Sequence, residues 1–236
     1  MFTLFFVEDL PRTVGSEYEF KNDDANHAIR VLRTQVDDQF MLSDGKGAWS
    51  KVKATQMQKK SMTVQVLETG YQEPLATTIT VVQALPKGDR SKEAIELLTE
   101  AGVDRIIPWL ASRSIGKTSE KFQITAREAS KQSRRFRIPE VTGVAHTDQI
   151  CEAIRLSDLA IVFHESAQTK LSDQITSGNV ENLLIIIGPE GGITDQELAV
   201  FTEAGAKTAL MGRPILRSAH AGLAAVSAVS ALLKVW

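Results

Sequence analysis

The stretch NLLIIIGPEGGITDQEL, Asn182 to Leu198, constrains this chain more than any other. The branched apolar run Leu183 to Ile187 has the pattern of a strand covered on both faces, as in a parallel sheet. It stops at Gly188-Pro189-Glu190-Gly191-Gly192. Thr194 then stands as an N-cap with Glu197 three residues on, a capping box that opens a helix. Strand, glycine loop and helix N-terminus in that order set the loop beyond the carboxyl end of a strand, where open α/β sheets bind ligands. Glycines there let a ligand approach the backbone; a tight turn without a ligand is the alternative. Phosphate is a poor candidate. No Lys-Ser or Lys-Thr follows, the spacing is not G-x-G-x-x-G, and Glu190 puts negative charge beside the amides. A neutral or cationic ligand suits the loop better.

The rest of the chain falls into two rhythms. Up to about Leu67 it reads as short strands, with Asp44-Gly45 as a hairpin turn. The helical piece DDANHAIRVLR interrupts them, with Asp23 or Asp24 as its cap. This predicts a small β-barrel over 1–70 and a linker over 71–77. From Thr78 to the end, strands alternate with helices, which predicts βαβ units and a mostly parallel sheet over 78–236. Ser91 stands near the start of the first of these helices and Gly102 at its C-terminal cap. The last helix, AHAGLAAVSAVSALLKVW, carries Lys234 as its one charge and small residues all round, so burial is expected, with a second subunit as an attractive neighbour. The run is too short and too polar, at His220, Ser227 and Ser230, for a membrane span.

A net charge of −2 means that nucleic acid must be met by a local patch rather than a global field. The segment TAREASKQSRRFRIPE is the one concentration of positive charge. In a continuous helix Arg127, Lys131, Arg134 and Arg135 would share one face, with Arg137 following. That stripe suits phosphate contact, or is a solvated helix face. Cys151 stands alone, which excludes an internal disulfide and fits a reducing cytosol. The N-terminus lacks the pattern of a secretory leader. The four histidines have no metal-ligand spacing, so no metal is predicted.

Three segments, LPKGDRSKEAIELLTEAGVDRIIP, LLIIIGPEGG and MGRPILRSAHAGLAAVSAV, together resemble the ribosomal RNA small subunit methyltransferase E family, uridine-N3 methyltransferases of the SPOUT superfamily. FFVEDL, HAIRVLR and LSDGKGAWSKVKA resemble its N-terminal PUA-like RNA-binding barrel. The resemblance implies a trefoil-knotted α/β domain, a cytoplasmic homodimer, and S-adenosylmethionine as methyl donor. The substrate implied is a uridine in 16S ribosomal RNA, within the small subunit. Another SPOUT methyltransferase, acting on ribose or transfer RNA, and a non-catalytic ribosome-assembly protein are the rival readings.

Carried over by position, the cofactor loops are Ile187, Gly188, Pro189, Glu190, Gly191 and Gly192, then Met211, Gly212, Ile215, Leu216, Arg217 and Ser218. His164, in FHES, forms another wall or is a packed strand-end histidine. Arg217 stabilises the uridine anion or is a structural arginine, and His220 accepts the proton or packs near the helix start. RNA contacts are expected at Arg30, Arg33, Lys87, Arg127, Lys131, Arg134, Arg135 and Arg137. Leu4 stands where relatives often carry arginine, and Ala219 where they often carry glutamate, so a carboxylate base is not available there.

Overall fold

The computed structural model describes residues 2–175 and 180–235. Its elements are β1 (Leu4–Phe6), β2 (Glu17–Phe20), α1 (Asp23–Arg30), β3 (Gln39–Ser43), β4 (Ala48–Met57), β5 (Met62–Tyr71), β6 (Thr78–Ala84), α2 (Arg90–Glu100), β7 (Arg105–Trp109), α3 (Phe122–Gln132), β8 (Glu140–Val141), α4 (Thr147–Arg155), β9 (Leu159–Phe163), α5 (Leu171–Gln174), β10 (Asn182–Ile187), α6 (Asp195–Glu203), β11 (Lys207–Ala209) and α7 (Ser218–Leu232). Two compact units emerge. One holds residues 1–74 with 130–138, the other 75–129 with 139–236. The segment 130–138, which the sequence rhythm leaves in the second half, thus folds with the first.

The first unit is a five-stranded sheet ordered β1-β3-β4-β5-β2, antiparallel except where β1 joins β3. The Asp44-Gly45 signal marks the β3–β4 hairpin. The Asp44 carboxylate accepts from the amides of Lys46 and Ala48, and Gly45 and Gly47 take positive φ. Phe5, Phe20 and Phe40 pack ring against ring in the core, with Val52, Met62, Val64 and Val66 around them. Neither aspartate caps α1. Asn22 does so, its Oδ1 accepting from Ala25 N at 2.9 Å. Asp24 is buried instead and accepts from Phe6 N and Lys131 Nζ. An asparagine one residue earlier completes the same cap, which frees Asp24 for the core.

The second unit is a six-stranded sheet ordered β11-β9-β10-β6-β7-β8, parallel at every pairing. Its central strands are mostly apolar because both faces are covered, one by α2 and α7, the other by α4 and α6. Helix α2 ends in a Schellman motif, Val103 N on Leu98 O and Gly102 N on Thr99 O, with Gly102 at φ +90. Helix α7 buries one face, Ser218, Ala219, Gly222, Ala225, Val226, Val229 and Ser230. Its other side is partly exposed in the single chain, with Leu232 at 45%. The uniform apolarity therefore covers two faces, of which this chain buries one. Among the described residues no helix is long and apolar enough to cross a membrane, and no group of three or more His, Cys, Asp or Glu could hold a metal.

Candidate active site

Strands β9, β10 and β11 lie side by side and parallel, so their carboxyl ends open on the same edge. The loops that follow them, after Phe163, Ile187 and Ala209, enclose a cavity of about 530 Å³. That is the size of a small-molecule site, typically about 300–1,000 Å³. His164, Ile187, Gly188, Pro189, Glu190 and Gly192 line it from two of these loops. Met211, Gly212, Ile215, Leu216, Arg217 and Ser218 line it from the third. Gly191 is the one residue of the expected cofactor set that does not line it. Its carbonyl accepts from Arg113 Nη1 at 3.0 Å, on another side of the loop.

The glycines of the loop have causes within the fold. A Cβ on Gly188 would lie 2.7 Å from Ile193 Cγ1, and one on Gly191 would lie 3.0 Å from Arg113 Cβ. Gly192 sits at φ +75, the left-handed region that favours glycine. The tight turn is thus enough to explain them, and it is the cavity beside the turn that points to a ligand. Glu190 Oε1 accepts from Lys87 N at 3.3 Å, joining the loop to the end of β6.

The cavity carries more charge than the sequence reading expected. Arg90, Arg213 and Glu165 line it together with Arg217 and Glu190. Arg90 lies in the first turn of α2 and Arg213 within the last loop, positions that become neighbours only through the fold. Arg217 is the N-cap residue of α7, where its carbonyl accepts from His220 N and Ala221 N, and its side chain is exposed. His164 Nδ1 accepts from Ser166 N at 3.2 Å and lies 2.7 Å from Ser166 Oγ. An amide donating to Nδ1 leaves Nε2 to carry the proton of the neutral ring. His220 is outside the lining and pairs with Glu93 Oε1 at 3.0 Å.

Beyond the loop, the Thr194–Glu197 capping box forms as expected, and Glu197 does more than cap. It is 4% exposed and also accepts from Ser112 N at 2.7 Å, tying α6 to the chain after β7. Burial alone would raise its carboxyl. The hydrogen bonds from Ser112 and Thr194 outweigh that and hold it below the ordinary range. A second cavity, of about 540 Å³, lies between α4 and α6 and includes Cys151, whose thiol burial pushes up. None of the expected site residues lines it.

The basic segment does not form the exposed stripe that helical spacing suggests. Helix α3 ends at Gln132, and Arg134 takes φ +60, so the last cations leave the helical face. Lys131 Nζ forms an ion pair with Asp24 at 2.7 Å, both about seven-eighths buried. Arg134 donates to the Phe2 carbonyl. Arg137 donates to Gln72 O and to the Tyr71 hydroxyl, and lies over the Tyr71 ring. Arg127 and Arg135 are half-buried, whereas Arg30, Arg33 and Lys87 are exposed.

The family model of the RNA methyltransferase domain matches residues 73–230, and that of the RNA methyltransferase PUA domain matches residues 20–67. A ribosomal RNA small subunit methyltransferase E from Mycobacterium bovis is 36% identical, over 99% of this chain and 93% of its own length. The chain belongs to the ribosomal RNA small subunit methyltransferase E family. A member from Bacillus subtilis is 29% identical over 96% of this chain and 95% of the relative. The crystal structure of the Neisseria gonorrhoeae member, bound to S-adenosyl methionine, superposes with a TM-score of 0.87 at 26% identity, covering 98% of each chain. In family terms, the five-stranded unit contains the PUA match, and the parallel sheet with its loop cavity lies within the methyltransferase match.

Proposed function

We propose that this methyltransferase transfers a methyl group from S-adenosylmethionine to N3 of one uridine in 16S ribosomal RNA. The observation that carries the reading is the cavity at the ends of β9, β10 and β11. It gathers, in one place, loops from three separate parts of the chain that the family resemblance assigns to the cofactor. Its volume suits a nucleoside, its lining mixes glycines and apolar side chains with charged ones, and Glu190 is compatible with a cation.

S-adenosylmethionine, held by these loops, would supply an electrophilic methyl for N3, with sulfur as the leaving group that keeps the electron pair. The chain's own part is chiefly positioning of two reactants, which can remove several kcal/mol from a barrier. The loops Gly188–Gly192 and Met211–Ser218 hold the nucleoside. Arg217 lies close to the reacting base and stabilises the charge left when N3 loses its proton to solvent. His220 pairs with Glu93 and lies outside the cavity lining, which supports packing near the helix start over proton acceptance. Arg90 and Arg213, exposed at the same cavity, meet phosphates beside the target uridine, which must be unpaired or splayed out for N3 to be reached. Lys87, beside the cavity, and Arg30 and Arg33, in the first unit, add RNA contacts.

The family reading also carries a trefoil knot, a cytoplasmic location and a homodimer, and the partly exposed small-residue side of α7 supports the last of these. The test is methyl transfer from labelled S-adenosylmethionine to small subunits lacking the modification, with the labelled nucleotide mapped by mass spectrometry. Label at N3 of one uridine is the expected result. Label on ribose or on another RNA would replace the specificity assigned here. Failure of both transfer and cofactor binding would overturn the enzymatic reading.

A further inference from the structure

Strand β6 runs between β10 and β7 in the middle of the sheet, and its buried positions are apolar except one. Gln83 is fully buried there, paired in register with Ile187, the last residue of β10. Its Nε2 lies 3.0 Å from Ala84 O and 3.0 Å from Ser218 Oγ. The Ala84 carbonyl can only accept, so the amide must turn its NH2 end that way. The second hydrogen then goes to Ser218 Oγ, which leaves the serine's own hydrogen for Gly188 O at 2.7 Å. Directionality therefore runs one way along the chain, from β6 through the first residue of α7 to the first glycine of the loop. Gly222, one turn further along α7, has no Cβ to strike Leu98 Cδ2 at 2.7 Å, so the helix can pack this closely. The orientation leaves Gln83 Oε1 buried without a hydrogen-bond partner among the described residues. A thioether or alkyl side chain of the same size would fill the site without that cost.

We propose that Gln83 is a positioning residue for the methyl donor: through Ser218 it holds the Gly188 carbonyl and the first turn of α7 as the floor of the cavity. Gln83 itself does not line the cavity, so it acts on the ligand only through that link. The inference rests on the reading of the cavity as the S-adenosylmethionine site.

The test compares wild type, Gln83→Met, Ser218→Ala and the double variant. Each is followed by thermal unfolding without ligand, by calorimetric titration with S-adenosylmethionine, and by methyl-transfer kinetics. Gln83→Met should unfold at or above the wild-type temperature yet bind the donor about tenfold more weakly, the worth of one hydrogen bond. KM for the donor should rise while kcat at saturation stays near wild type. Ser218→Ala should lose a similar factor, and the double variant no more than either alone, because both cut one chain. Ser218→Ala breaks the link from the helix side but also changes the cavity lining, so Gln83→Leu is the second variant should Gln83→Met fail to fold. Wild-type donor affinity in Gln83→Met would overturn the inference and leave the enzymatic reading standing, and so would additive losses. A wild-type protein that binds no donor would overturn both.

Discussion

Replacing Gly188 by alanine separates the two explanations of the glycine loop. The new Cβ would sit 2.7 Å from Ile193 Cγ1 and 3.3 Å from its Cδ1. Ile193 is 4% exposed and packed in the cluster with Phe201, Ile186 and Trp109, and the loop cavity it lines is the side on which it could give way. Overpacking of this kind costs about 1–3 kcal/mol. For a chain of this length that lowers the unfolding temperature by roughly 2–12 °C, at about 2–4 °C per kcal/mol. The loss should appear with no ligand present. Ile193→Ala removes both clashing atoms; alone it costs roughly 2–5 kcal/mol as a cavity. Combined with Gly188→Ala it should cost less than the sum, by about the overpacking relieved. Thermal unfolding of the four proteins, each without ligand, measures this. An unchanged unfolding temperature in Gly188→Ala, with strictly additive losses in the double variant, would refute the steric argument. The ligand's approach would then be the reason for glycine.

Further outcomes can be checked independently. Glu197→Gln can face an acceptor toward Ser112 N or toward Thr194, but not both, and should cost about 1–3 kcal/mol at neutral pH. Because the folded carboxyl lies below its unfolded value of about 4.3, its contribution is present above that pH and lost as pH falls through the folded value. Denaturant titrations of wild type and variant should therefore converge on acidification, and a gap independent of pH would contradict the assignment. Lys131→Met removes one partner of the buried Asp24 and should destabilise the chain, with part of the loss recovered by Asp24→Leu in the same chain. Full stability in Lys131→Met, with weakened RNA binding, would instead make Lys131 an RNA contact. Arg217→Ala should keep donor affinity and lose turnover, and wild-type turnover would remove its electrostatic role. Arg90→Ala and Arg213→Ala should each flatten the salt dependence of RNA binding by about one unit of slope; an unchanged slope would place them away from phosphate.

Much of the scaffold is legible because its signals are local. Five branched residues at 183–187, the Thr194–Glu197 box and the φ-demanding Gly102 each act within one turn or strand, and each forms as its pattern requires. What escapes sequence reading is decided by partners far along the chain. Glu197 reads as a cap, yet its link to Ser112 spans 85 residues and is invisible to any window. Arg90 and Arg213 carry no motif of their own and meet at the cavity only when β6 and β11 are laid in one sheet. The basic segment fails for a different reason. Periodicity assumes that the helix persists, and α3 stops at Gln132 before the turn at Arg134. Lys131, Arg134 and Arg137 then spend their donors within the first unit, on Asp24, Phe2, Tyr71 and Gln72.

That reassignment bears on how a chain of net charge −2 meets RNA. The electrostatic part of RNA affinity follows the number of phosphates neutralised, not the overall charge. Cations engaged by the protein's own carbonyls and carboxylates contribute little to that number. Those whose side chains stay exposed can contribute, and in the second unit Lys87, Arg90, Arg213 and Arg217 are exposed at or beside the loop cavity. If the cavity is the methyl-transfer site proposed above, the arginines that line it would draw phosphate toward the place where the target nucleotide is expected. That arrangement also accounts for Glu190 within the same cavity. An acid beside phosphate-seeking arginines would be a liability in a phosphate cradle. It is compatible with a site where arginines take the RNA backbone and the loop takes a sulfonium.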